Sequence, residues 1–249
     1  MKIIVCMKRV PDTESRIRIG DDGVSIDPRA IKFVMEPYGE YALETALRIR
    51  EAAGGGEVVL VTVGDSISAE QLRSGLAMGA DRAILLKGSP GFDGFATASA
   101  LAAEIGPLGA DLVLTGMKAT DDDQQQVGPM LAELLSLPCI TVATDIQVSA
   151  GRVRANREVE GGVEHVEAPT PAVVTVTKAD FEPRLPKLQA IMAAKRKPLE
   201  EKDAQLGPSR IRLIGLAYPP ERPPGRIVGA GADAVPELVR LLRTEAKAL

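Results

Sequence analysis

Glu57-Val58-Val59-Leu60-Val61-Thr62-Val63, then a helical pattern over residues 68–78, then Arg82-Ala83-Ile84-Leu85-Leu86 form the stretch that decides the fold. Both runs are apolar almost throughout instead of alternating with polar residues, the mark of strands buried on two faces of a parallel sheet. Parallel neighbours need a crossover, and the segment between the runs supplies it as a helix. That helix opens with Ser68-Ala69-Glu70-Gln71, the spacing at which a Ser hydroxyl caps the first turn and Gln reaches back to the Ser amide. The same unit recurs outward in both directions. Residues 2–7, 111–115 and 138–142 read as further parallel strands, and residues 38–53, 95–105 and 124–137 as further helices. Right-handed crossovers then cover both faces of the sheet, so the expected fold class is α/β, with a doubly wound, mainly parallel sheet.

After Asp145 the pattern changes. Ile146-Gln147-Val148 and Arg152-Val153-Arg154 flank Ser149-Ala150-Gly151, and Gly161-Gly162 precedes residues 163–166, so 145–167 is expected to be an antiparallel hairpin extension. Residues 172–176 return to a wholly apolar strand. From 181 to about 226 the chain is rich in proline and charge, with little periodicity beyond 185–195, as in an arm that wraps another surface. Val235, Leu238, Leu242 and Leu249, behind Asp233 and Pro236, mark a C-terminal amphipathic helix. The expected division is a domain over 1–180 and a segment over 181–249 made of a partner-recognition stretch, an arm and that helix.

With 45% hydrophobic and 26% charged residues, the 249-residue chain has the composition of a globular protein rather than a disordered one. Its apolar runs fall well short of the roughly 18 residues that span a bilayer, so no membrane insertion is expected. The opening Met1-Lys2-Ile3-Ile4-Val5-Cys6 reads as a strand and not as a secretory signal, which makes the cytoplasm the expected compartment. A net charge of −4, no tryptophan and 3% aromatics argue against nucleic-acid binding. Cys6 and Cys139 lie far apart in apolar surroundings and are expected to be buried small hydrophobes. The sole histidine, His165, sits in an alternating strand pattern that points to the surface, so no metal site is expected.

Open parallel sheets hold ligands beyond the carboxyl ends of their strands, where the topology changes direction. Three loops qualify: 8–12, 64–66 and 116–123. The last runs Gly116-Met117-Lys118-Ala119-Thr120-Asp121-Asp122-Asp123-Gln124-Gln125-Gln126-Val127-Gly128-Pro129 into a helix start, whose free amides can hold a phosphate, with Gly128 allowing close approach. Alternatively the three aspartates are simply caps and dipole partners at that start. A Walker loop and the Rossmann glycine pattern are both absent. Farther on, Leu188, Ile191 and Met192 precede Lys195-Arg196-Lys197. These residues form either a short surface helix with a solvated basic end or a docking patch for a partner with an apolar pocket and an acidic rim.

Several ordered blocks resemble a known family. Val5-Cys6-Met7-Lys8-Arg9-Val10-Pro11-Asp12, Glu36-Pro37-Tyr38-Gly39-Glu40, Ala77-Met78-Gly79-Ala80-Asp81-Arg82 and the 121–128 block come in the order of the β subunit of electron-transfer flavoprotein. Ala155-Asn156-Arg157-Glu158-Val159-Glu160-Gly161-Gly162-Val163-Glu164-His165-Val166, followed by Pro171-Ala172-Val173-Val174-Thr175, fits that family's signature stretch. The resemblance covers essentially the whole chain.

The resemblance implies a sheet of the adenine-nucleotide-binding type and a heterodimer with an α subunit that holds most of the FAD. This chain would bind AMP structurally, without consuming it, and wall off part of the flavin. The implied nucleotide residues are Cys6, Glu36, Pro37, Tyr38, Gly39, Val63, Ala119, Thr120, Asp121, Asp122, Asp123, Gln124, Gln125, Gln126, Val127, Gly128, Pro129 and Met130. Tyr38 would also approach the flavin ring, Thr13 stands where some members place a tyrosine, and Glu36 stands where Asn is frequent. Some relatives bind a second FAD in place of AMP and split electron pairs; these tend to carry Asp-Gly-Asp-Thr-Ala-Gln, whereas Asp-Asp-Asp-Gln-Gln-Gln here favours AMP. A leucine anchor for partner dehydrogenases aligns with Leu188, with Leu185-Pro186 as a competing alignment, beside Ile191, Met192, Lys195, Arg196 and Lys197. The implied role is an electron carrier with no catalytic residues of its own, serving fatty acid oxidation. It would take electrons from flavoprotein dehydrogenases such as acyl-CoA dehydrogenases and pass them to a membrane quinone oxidoreductase. A bifurcating subunit, a stand-alone adenine-nucleotide-binding module and a hydrolase using Asp121 to Asp123 as metal carboxylates are the alternatives.

Overall fold

A computed structural model describes residues 1–91, 93–221 and 224–249. In chain order the elements are β1 (Lys2–Cys6), β2 (Arg9–Pro11), β3 (Phe33–Met35), α1 (Pro37–Ala52), β4 (Glu57–Gly64), α2 (Ala69–Met78), β5 (Arg82–Lys87), α3 (Gly94–Ile105), β6 (Leu112–Gly116), α4 (Val127–Leu135), β7 (Cys139–Ser149), β8 (Arg152–Val159), β9 (Gly162–Pro169), β10 (Ala172–Val176), α5 (Leu188–Ala194), β11 (Leu199–Asp203) and α6 (Val235–Thr244). Nine strands form one sheet in the order β11-β5-β4-β1-β6-β10-β7-β8-β9. The first seven are mutually parallel, and β8 and β9 add on antiparallel. β2 and β3 pair separately.

Successive side chains of a strand point to opposite faces, and the apolar runs therefore feed two cores. Ile3, Val5, Val58, Leu60, Leu85, Leu112 and Leu114 meet Leu43 and Leu47 of α1 and Leu72 and Leu76 of α2. Ile4, Cys6, Val59, Val61, Ile84 and Val113 meet Ala98 and Leu101 of α3 and Leu131 of α4. This double-sided burial is why the central strands carry almost no polar residue, each buried Leu or Ile being worth roughly 1.5–3 kcal/mol.

Several expectations need correction. Ser68 makes no side-chain cap; Asp65 caps the preceding 3-10 turn instead, accepting from the Ser68 amide and hydroxyl at 3.1 Å each. Gln71 points its amide at the Phe33 carbonyl, 3.4 Å away. The strand expected over 138–142 and the first hairpin strand are one strand, β7, with Val142 at φ 59° and a register shift between Ala143 and Ile146. Such a bulge bends a strand, which lets β7 pair with β10 on one side and β8 on the other. Cys139 is exposed, whereas Cys6 is buried as expected.

The chain divides into Met1–Ile214 and Gly215–Leu249. Residues 181–214 thus belong to the first unit, where β11 closes the sheet on β5. The second unit contains α6, whose Leu241 is buried, and an Arg226–Glu245 ion pair at 3.3 Å.

Candidate functional site

The chain leaves β1 towards β4 on one side and later adds β6 on the other, so β1 and β6 flank the switch point of the sheet. A crevice of about 860 Å³, counting its open mouth, lies beyond their carboxyl ends. Cys6, Val63 and Thr115 form its floor, Gly94 and Thr97 of α3 one wall, and the segment leading into α4 another.

Glu36 closes the α1 side. It is the N-cap of that helix: Pro37 occupies the first turn, and Glu36 Oε2 accepts from the Gly39 amide at 2.8 Å. Only 2% of Glu36 is exposed, and its Oε1 has no partner among the described residues. Burial pushes its carboxyl up to about 7, against the pull of the Tyr38 and Gly39 amides. Gly116 faces it; a Cβ at that position would lie 2.8 Å from Glu36 Oε2.

The segment between β6 and α4 is a loop, and its aspartates are not helix caps. Lys8 Nζ donates to Asp121 Oδ1 at 2.7 Å and to Asp122 Oδ2 at 2.9 Å, and Lys118 Nζ meets Asp123 Oδ1 at 2.6 Å. Asp123 and Gln125 both take the left-handed conformation, at φ 53° and 56°. α4 starts only at Val127, and its N-cap, Gln126, makes no side-chain cap bond, so the N-cap leaves the first-turn amides open. Gly128 packs on the sheet: a Cβ there would collide with Thr175 Cγ2 and approach Thr115 Oγ1 to 3.0 Å.

Of the expected nucleotide residues, Cys6, Glu36, Gly39, Val63, Ala119, Asp122, Gln124, Gln125, Gln126, Val127 and Gly128 line the crevice. Pro37, Tyr38, Thr120, Asp121, Asp123, Pro129 and Met130 do not; Asp121 and Asp123 stand behind the lining lysines as their ion-pair partners. The structure adds the stretch after β5, namely Pro90, Gly91 and Asp93, with Gly94 and Thr97. Asp93 Oδ1 caps α3 at the Phe95 and Ala96 amides, 3.0 Å each, while Oδ2 accepts from the Arg210 amide at 2.6 Å. Gly88-Ser89-Pro90-Gly91 is the signal that could have found this loop, because it ends a parallel strand at the same edge of the sheet.

A second surface lies apart from the crevice. Leu185, Leu188, Ile191 and Met192 are exposed, Leu188 to 75%. The ends of this stretch are held. Arg184 Nε donates to Glu44 at 2.7 Å and Nη1 to Glu51 at 2.6 Å. Arg73 Nη1 donates to the carbonyls of Ala194 and Lys197, 2.7 Å each. Of the expected basic residues, Lys195 and Arg196 are exposed, but Lys197 turns inward and donates to the Leu76 and Ala80 carbonyls at 3.0 and 2.6 Å.

Among the described residues no helix is long and apolar enough to cross a membrane. Residues 24–206 match the family model described as the electron transfer flavoprotein domain. The chain is 37% identical to the electron transfer flavoprotein subunit beta of Bacillus subtilis over the full length of both chains. It is 38% identical to the subunit of the same name from Bradyrhizobium diazoefficiens, again over the full length of both. Identity to the mitochondrial subunit beta of Oryza sativa subsp. indica is 37%, also end to end.

Proposed function

Because the chain belongs to the electron transfer flavoprotein family, as a β subunit, we propose that it pairs with an α subunit, seats AMP in the crevice between β1 and β6, and helps enclose the FAD that the α subunit holds. The observation that carries the nucleotide reading is a crevice at the switch point whose one wall is a helix start without a side-chain cap. Free amides and the positive end of α4 suit a phosphate there, and the N-cap side chain does not compete for them. The apolar floor suits a purine, and Thr115 and the Gln124 to Gln126 stretch supply polar groups around it.

AMP is a resident of the crevice rather than a reactant, and it stabilises the folded chain by mass action. FAD supplies the redox chemistry; this chain's part is to position, shield and present. Tyr38, half-buried at the start of α1, is the side chain that would approach the flavin. The exposed Leu188, Ile191 and Met192 with Lys195 and Arg196 suit docking of flavoprotein dehydrogenases such as acyl-CoA dehydrogenases, whose electrons would pass on to a membrane quinone oxidoreductase.

Co-expression with the α subunit and acid extraction test this reading. One AMP and one FAD per heterodimer are expected. Two FAD and no AMP would assign the crevice to a second flavin, and a colourless stable homodimer would remove the carrier role.

A further inference from the structure

The buried carboxyl of the crevice has a hydrogen-bonding capacity that the protein leaves unused. Glu36 Oε2 is satisfied by the Gly39 amide, whereas Oε1 is buried without a partner among the described residues. A buried acceptor left in this state is costly unless something else bonds it. Gly116 keeps the space beside it clear of any Cβ.

The charges around Glu36 decide in which form it meets a ligand. From the end of β1 comes Lys8, and from the loop after β6 come Lys118, Asp121, Asp122 and Asp123. Lys8 is shared by two carboxylates and Lys118 is taken by a third. From the start of α3 comes Asp93, held ionised chiefly by the Arg210 and Ala96 amides. Cys6 lies buried on β1 with its thiol pushed up to about 12 by burial, and Tyr38 and Glu40 stand on the same helix as Glu36. Among the described residues no lining cation is left over to balance an ionised Glu36 next to a phosphate. A neutral carboxyl removes that repulsion and gains an O–H donor.

We propose that Glu36 enters the nucleotide complex as the neutral acid and donates a hydrogen bond from its unpartnered oxygen to an acceptor of the bound nucleotide, so that binding takes up one proton. This rests on the reading of the crevice as an AMP site. It makes Glu36 the residue that sets the pH range over which the nucleotide is retained. Burial pushes its carboxyl up to about 7 in the free protein, so above that pH the proton must be supplied from solution during binding.

Calorimetry of AMP binding to nucleotide-stripped heterodimer, from pH 5.5 to 8.5 in two buffers of different ionisation enthalpy, tests it. The wild type is expected to take up close to one proton at pH 8, and its Kd to weaken about tenfold per pH unit above pH 7. Glu36→Gln, which keeps a donor and an acceptor at every pH, is expected to take up none at pH 8 and to lack the tenfold weakening per pH unit above pH 7. The titration of the AMP phosphate is common to both proteins and cancels. Equal proton uptake and equal pH slopes in the two would overturn the role of Glu36 while leaving the AMP site standing. If the variant does not fold, zero uptake by the wild type at pH 8 overturns the role by itself. Failure of the wild type to bind AMP at any pH would overturn the crevice reading, and this inference with it.

Discussion

Arg184 Nε donates to Glu44 Oε2 at 2.7 Å across 140 positions of chain, tying the start of the exposed 185–193 stretch to α1. Glu44 is 2% exposed. Burial raises its carboxyl, but the bonds from Arg184 and Arg48 outweigh that and hold it below the usual carboxylate range. Arg48 also stacks over the Phe181 ring at 4.0 Å, so the clamp has an apolar side.

Arg184→Ala leaves a buried carboxylate with Arg48 as its remaining side-chain cation. Complete loss of a partner from a buried pair costs roughly 3–5 kcal/mol; because Arg48 remains and Arg184 is partly exposed, about 1–3 kcal/mol is expected. Urea denaturation checks the amount, and faster amide exchange over 181–190 checks that the stretch has come loose.

Leu188→Ala removes an exposed side chain and should leave the melting temperature within the small range typical of surface changes. Reduction of the heterodimer by a partner dehydrogenase, followed by stopped flow, should slow while the flavin content stays constant. Lys197→Ala should behave in the opposite way. It strips two carbonyls of their donor and is expected to cost about 1–2 kcal/mol in stability, because Lys197 faces the fold rather than a partner.

Glu36 couples folding of the nucleotide-free protein to pH. Its carboxyl is raised from 4.5 to about 7, so between these values the folded state binds more protons than the unfolded one. Stability from this group is full below 4.5 and is lost as pH rises through 7, a penalty of up to about 3 kcal/mol by pH 8. Glu36→Gln should therefore raise the melting temperature of the nucleotide-free protein at pH 8 and leave it nearly unchanged at pH 5.

Gly128→Ala drives a methyl group into Thr175 and close to Thr115, both on central strands that cannot retreat. Overpacking of this kind costs about 1–3 kcal/mol and should push the first turn of α4 away from the sheet. A lowered denaturation midpoint together with weaker AMP retention is the expected result; an unchanged midpoint would mean that α4 shifts freely.

What could be read from the chain alone follows from how local each signal is. The central strands announced themselves because Ile3 to Val5 or Val58 to Val61 must be apolar on both sides. β11 stayed hidden: Leu199-Glu200-Glu201-Lys202-Asp203 is an edge strand, mostly exposed, so nothing obliges it to be apolar. The aspartate triplet looked like helix caps because spacing reports only near neighbours. The partner of its first two members, Lys8, lies 113 positions from Asp121. The same blindness placed Lys197 among docking cations when its acceptors are carbonyls at the end of α2 and just beyond it. Ser68 does not cap α2, because it closes the preceding 3-10 turn in helical conformation and its hydroxyl donates to Asp65.

The link from β10 to β11 starts in mid-sheet and ends at the rim, with β6, β1, β4 and β5 lying between. At about 4.8 Å per step this is a span of roughly 24 Å. Each bank of that bridge is fastened separately, by Arg184 upstream and by Arg73 and Lys197 downstream. A protease that nicks the bridge between Leu185 and Ala193 would leave two stumps, each still moored. The fragments would separate on a denaturing gel while the native particle kept its mass.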